Sequence, residues 1–240
     1  MRSELLYTDW PYLALMIFLA AMLLRSLLFW RKPRSDSETI SERSSRTDML
    51  WRFGLSAILL GHTAVLLFPN RVLAWNTTTF RLYLLEGVAF ATGLAALIGW
   101  APLVWRHMTR SGAVLRDTAD SVLLSLVGTT LVSGLLLAWM HRWASLWAAS
   151  TLAPYLRSLI SGSPQINLVS GMPFLVRIHV TFAFATLAVL PFSRAGVWLI
   201  QRAARPLLGS AGARIEQLRR GISARLVQLN LGQRLWPEED

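Results

Sequence analysis

Cysteine is absent from the 240-residue chain. Thiolate-bound iron–sulfur clusters, structural disulfides and haem attached through a C-x-x-C-H motif are thereby excluded. Charge is sparse as well. Only 15% of residues are Asp, Glu, Lys or Arg, where an ordinary soluble domain carries about 25%, and mean hydropathy is +0.45. Acidic side chains are the scarcer kind, 13 against 24 basic ones, for a net charge of +11. That surplus does not point to nucleic acid, and no such partner is expected. The arginines gather in particular loops and in the C-terminal stretch, which is the pattern of membrane topology and anionic-lipid contact. Glu4 and Asp9, rather than basic residues, precede the first apolar run, and no small-residue cleavage site stands out. That run therefore reads as a retained helix and not as a signal peptide.

What the chain has in quantity is long apolar sequence. Runs at 10–30, 51–68, 84–105, 120–141 and 173–200 each approach the roughly 20 residues that cross a bilayer. Lipid offers no hydrogen-bond partners, so a spanning backbone must satisfy itself as helix. The expected fold is an all-α integral membrane protein, a bundle of five transmembrane helices over 1–200, followed by a basic tail over 201–240. The connection at 142–172 suggests a short interfacial helix anchored by Trp143, Trp147 and Tyr155. In the tail, Ile215, Leu218, Ile222, Leu226 and Leu229 recur at helical spacing. They predict an amphipathic surface helix, either touching lipid and water or docking a partner subunit. No internal repeat is evident.

Basic residues set the expected orientation. Arg31, Lys32, Arg34, Arg43 and Arg46 lie in the first connection, Arg106, Arg110 and Arg116 in the third, and eight arginines follow from Arg194 onward. The other side carries Arg2, Arg71, Arg81, Arg142, Arg157 and Arg177. The positive-inside rule then places the N-terminus outside and the C-terminus in the cytoplasm.

With that topology, His62 lies seven residues before Pro69 and His179 six residues after Pro173. At 1.5 Å per residue both sit roughly 10 Å below the outer surface, on different helices. A histidine in a span can simply hydrogen-bond between helices. Two at one depth can instead ligate a single iron from opposite faces of a macrocycle, and intramembrane histidines usually face the bundle interior for a functional reason. Zinc fits less well, because a four-coordinate site needs more His, Cys or carboxylate than this depth supplies. Gly61 would let a flat ring approach the backbone. Arg177, with Arg71 or Arg81, stands where haem propionates need cations. Ser56 and Thr181 are candidate acceptors for the ligand rings. His141 and His107 end the fourth and third runs as interfacial residues, although His141 could approach a quinone headgroup. Glu86 is an acid/base candidate or else an ion-pair partner for Arg81 or Arg71.

Three stretches carry a family resemblance: WPYLALMIFLAAMLLR, GHTAVLLFP around His62, and VRIHVTFAFATLAVLPFSR around His179. Over residues 10–200 the chain resembles the gamma subunit of respiratory nitrate reductase, a five-helix membrane cytochrome b that oxidises quinol. The resemblance implies that His62 and His179 ligate the haem nearer the outer face and that quinol reacts beside it. It also implies that a basic residue early in the third span, here Arg81, contributes to the quinol site. A bacterial cytoplasmic (inner) membrane location and redox partner subunits come with the same resemblance.

One departure stands out. The family's second haem takes its ligands ten residues before the first histidine and eighteen after the second, and these positions hold Arg52 and Val197. Arginine stays protonated and valine has no donor atom. One bis-histidine haem b is therefore expected, not two. A haem ~10 Å from one face of a ~30 Å hydrocarbon core is remote from the other side. The electron partner is accordingly expected at the outer face, as a c-type cytochrome or a molybdoenzyme/iron–sulfur module, with quinone or quinol as substrate. Nitrate does not follow from the fold alone. The alternative is a structural membrane anchor of a redox complex, with no quinone chemistry of its own. A proton-relay transporter is a third reading, against which the absence of repeated halves counts.

Overall fold

The computed structural model describes residues 5–29, 46–109, 114–141, 143–194 and 196. Among them every regular element is helical. A wide-pitched turn, Leu5–Asp9, leads into α1 (Trp10–Phe29). Then come α2 (Arg46–Leu67), α3 (Pro69–Trp75), α4 (Thr79–Thr109), α5 (Val114–Met140), α6 (Ala144–Trp147), α7 (Ala153–Ile160) and α8 (Phe174–Val189). Five stretches among the described residues are long and apolar enough to cross a membrane: Leu5–Arg25, Thr47–Leu67, Thr79–Thr109, Thr118–Met140 and Phe174–Phe192. The protein is a multi-pass, all-α membrane protein, as expected.

Proline sets several boundaries, because its ring suits the first turn of a helix but not the interior. Phe68 leaves helical geometry (φ −127°, ψ 50°) and Pro69 opens α3. Pro173, with extended backbone (φ −52°, ψ 151°), starts α8. Within the fifth apolar run, α8 ends at Val189 and passes into a 3₁₀ turn, Leu190–Phe192, that contains Pro191; residues 197–200 of that run lie outside the described residues. The chain divides into Met1–Arg194 and Ala195–Asp240. Apart from Gly196, the second unit lies outside the described residues, and with it the expected tail helix and Val197.

The spans pack as an arc. α2 lies along α4, α4 on α5, α5 on α8, and α8 on α1. α3, α6 and α7 gather at the end where α2 and α5 finish and α4 and α8 begin, here termed the α7 end. Its core is Tyr7, Tyr155, Leu159 and Val169. Tyr155 was expected to anchor in the interface, yet it is fully buried. Its ring meets Tyr7 edge-on at 6.1 Å, and its hydroxyl donates to the Tyr7 carbonyl. Burial raises the Tyr155 phenol above its ordinary range, and Tyr7 and Tyr12 add to that. Trp143 is half exposed, as an interfacial ring should be.

At the opposite end the contacts are tighter and charged. Arg106 of α4 pairs with Asp48 of α2. Asp120 of α5 accepts the Arg194 backbone N–H (2.8 Å) and pairs with its guanidinium (3.1 Å). A Cβ on Gly54 would strike the backbone of Ala96, and one on Gly99 the backbone of Trp51. In this half α2 and α4 approach to main-chain contact, which small residues permit.

Candidate metal centre

His62 lies one turn before the C-terminal end of α2, and His179 lies on the second turn of α8. Because α2 finishes where α8 begins, the two imidazoles meet near the α7 end. Their centroids are 6.2 Å apart and their planes differ by 31°. Two imidazoles bound in trans to one metal, with bonds of about 2.0 Å, have centroids about 6.3 Å apart. The separation fits.

The tautomers fit as well. His62 Nδ1 lies 2.8 Å from the Ile58 carbonyl of its own helix. His179 Nδ1 is 3.1 Å from both the Thr130 carbonyl and Ser133 Oγ on α5. A carbonyl only accepts, so each Nδ1 carries the proton and donates it, which leaves both Nε2 lone pairs for a ligand. Hydrogen bonding of the remote ring nitrogen is how metal-bound histidines are normally oriented.

α5 cradles the His179 ring. A Cβ on Gly134 would lie 3.0 Å from His179 Cε1 and 3.4 Å from Nδ1, so a larger residue would push the ring off its seat. Ser133 is almost fully buried. His62 is set differently. Six consecutive residues of α2, from Leu59 to Ala64, are exposed. At 3.6 residues per turn, six positions cover every face, so this stretch of helix has open sides all round, and His62 projects from it.

The expected acceptors Ser56 and Thr181 are corrected. His62 uses the Ile58 carbonyl, and Thr181 Oγ1 donates back to the Arg177 carbonyl at 2.7 Å. Sequence gave no register between α5 and α8, so Thr130, Ser133 and Gly134 went unassigned. The one available hint was TTLVSG, a small and polar patch inside an apolar span. Gly61 sits on the open stretch, with nothing within 4 Å of where its Cβ would be; the protein itself leaves the space beside it clear.

The basic residues divide. Arg177 and Arg71 are exposed. The Arg81 guanidinium lies over the Trp75 ring, 5.2 Å from its centroid. Arg157, absent from the sequence-based site, donates from Nη2 to the carbonyls of Leu66 (2.9 Å) and Leu67 (3.0 Å). It caps the end of the helix that carries His62, satisfying carbonyls that a helix terminus leaves open.

The remaining candidates are also placed. Glu86 Oε1 accepts the Ser145 backbone N–H at 2.8 Å. The His141 ring lies 5.3 Å from Trp147. His107 pairs with Ser121 Oγ at 2.7 Å at the opposite end. Arg52 is exposed near the start of α2. Among the described residues, no group of three or more His, Cys, Asp or Glu could hold a metal ion. The donor set here is a pair of imidazoles, which suits a metal whose remaining ligands come from a macrocycle.

The chain is 24% identical over 198 residues to the respiratory nitrate reductase 2 gamma chain of Escherichia coli (strain K12), covering 78% of this chain and 86% of that one. The family model described as nitrate reductase gamma subunit matches residues 3–200, which takes in all five spans and both histidines. The chain belongs to the nitrate reductase gamma subunit family.

Proposed function

We propose that this cytoplasmic-membrane protein is a quinone-linked cytochrome b subunit of a respiratory complex, with one haem b held by His62 and His179. The observation that carries the reading is the pair itself: ring centroids 6.2 Å apart on two different spans, with both Nδ1 atoms engaged by carbonyls. The exposed stretch Leu59–Ala64 supports it, because a flat macrocycle between the rings would cover one of those open sides. Haem supplies one-electron chemistry. The chain's own part is to orient two imidazoles, to exclude water with the apolar walls of the spans, and to place cations at the α7 end. Arg177, Arg71 and Arg81 are the candidates for propionate or quinone contacts.

The stoichiometry of one haem rests on Arg52, a permanent cation at a family ligand position, and on Val197, which has no lone pair to give. By the positive-inside rule the α7 end faces outward, so the redox partner of this haem docks from the outer side. Electrons pass between the quinone pool and that partner.

A pyridine haemochrome assay with protein quantification tests the proposal. About one haem b per chain is expected in wild type, and none in His62→Ala or His179→Ala. Two haems per chain would overturn the single-site reading. A haem-free wild type would instead support the role of a structural anchor.

A further inference from the structure

The α7 end holds a second polar group that the haem reading leaves unused. Asn76, in the turn between α3 and α4, is only 7% exposed. Its Nδ2 donates to Ser145 Oγ at 3.1 Å, and its Oδ1 is buried with no donor among the described residues. Ser145 in turn gives its backbone N–H to Glu86 Oε1 at 2.8 Å. Glu86, Ser145 and Asn76 thus form a file from the second turn of α4 to the exposed turn at Thr77 and Thr78. Buried polar atoms are nearly always paired by protein or water. A buried acceptor with no donor, on the side chain that bonds Ser145, marks a place where a water belongs.

Depth connects this file to the haem ligands. Glu86 stands seven residues into α4, and His62 five residues before the end of α2. At 1.5 Å per residue both lie about 8–10 Å from the same end of the bundle, and α2 and α4 pack together. The charged and titratable groups on the surrounding elements are His62 of α2, Arg71 of α3, Arg81 and Tyr83 of α4, His141 beyond α5, and Tyr155 and Arg157 of α7. Arg81 lies over Trp75, His141 stacks near Trp147, Arg157 caps α2, and Arg71 is exposed. Asp9, the other described carboxylate at this end, is exposed. Glu86 is the half-buried one.

We propose that Glu86 is the proton acceptor for quinol at this end of the membrane, with Ser145 and Asn76 lining the exit to water. Quinol oxidation to quinone releases two electrons and two protons. The haem that His62 and His179 would hold would take up the electrons singly. Each proton leaves as a quinol O–H bond breaks and a Glu86 carboxyl O–H bond forms; Glu86 then gives it up to water, for which Ser145 and Asn76 supply polar walls. If electrons flow the other way, the same residues deliver protons to quinone. The inference rests on the haem and quinone reading above.

Glu86 also has a structural role as the acceptor that caps α6, so the test must separate the two. Glu86→Gln keeps a carbonyl oxygen for the Ser145 N–H but cannot take up a proton; Glu86→Asp retains the acid. The complex in native membranes is assayed for haem reduction by a short-chain quinol across a pH series, with haem content and dithionite-reduced spectra as controls. The expected result is normal haem content and spectra in Glu86→Gln, with haem reduction by quinol slowed at least about tenfold. Its pH profile should flatten, and Glu86→Asp should restore part of both. A Glu86→Gln variant that matches wild type in rate and pH profile overturns the proton route while leaving the haem reading intact. Wild-type protein without haem overturns both.

Discussion

The two halves of the bundle are held together by different means. In the half away from α7, Gly54 and Gly99 let α2 and α4 touch through their backbones, and ion pairs such as Arg106–Asp48 close that end. Toward the α7 end the same helix α2 opens. Leu59–Ala64 is exposed on all sides, and its polar side chain His62 faces another ring rather than a packed wall. A helix that meets its neighbour at main-chain distance leaves no room for a planar cofactor. One that parts from its neighbours does. The contrast matches the residues found at each level, a histidine pair in the open half and Arg52 in the closed one.

The largest expected effect breaks the open half. His62→Ala or His179→Ala should abolish haem binding outright, read as loss of the Soret band in purified protein. Next comes the seat of the His179 ring. Gly134→Leu should push the imidazole off the axis shared with His62, since even a Cβ would lie 3.0 Å from the ring. Haem content should fall several-fold while the far-UV helical signal is retained; unchanged haem content would show that the seat is not restrictive.

A change in the closed half should do the reverse. Gly99→Leu overpacks the α2–α4 seam, at a cost of about 1–3 kcal/mol or more. It should lower the thermal midpoint in detergent while the protein that stays folded keeps its haem spectrum. Arg106→Gln removes a partly exposed ion pair, with side chains 30% and 15% accessible. Solvent screening limits its contribution to about 1 kcal/mol or less, seen as a small shift of the same midpoint. The smallest effect sharpens the comparison. Arg52→His should leave haem at one per chain, because the sequence position of the family's other ligand holds Val197, which has no donor atom, and α2 is zipped to α4 in this half.

Much of this protein can be read along the chain, and the reasons are local. Five apolar runs give five spans because lipid forbids an unsatisfied backbone. The matched depth of His62 and His179 follows from helical rise and from Pro69 and Pro173, which mark the ends of their helices. What could not be read depends on which faces meet. Thr130, Ser133 and Gly134 reach His179 only through the register of α5 against α8, and no periodicity within either helix encodes that. Tyr155 was expected in the interface because tyrosine is amphipathic, but a backbone carbonyl from Tyr7, 148 residues away in sequence, satisfies its hydroxyl and draws it inside. Glu86 was read as an acid/base candidate or an arginine partner; that it accepts the Ser145 N–H of a four-residue helix depends on how α4 meets α6.

By itself, then, the sequence determined that the chain lies in a membrane as helices, that no thiolate can serve a cofactor, and that two imidazoles share one level while Arg52 and Val197 cannot act as a second pair. Composition, helical rise and donor chemistry are properties of each segment alone. Only the tertiary structure decided that the two rings stand 6.2 Å apart, that both point their Nε2 atoms away from their hydrogen-bond partners, and that Glu86, Ser145 and Asn76 line up at the same end. Those facts depend on side-chain packing between helices distant in sequence, where a shift of one residue in register would turn each group to another face.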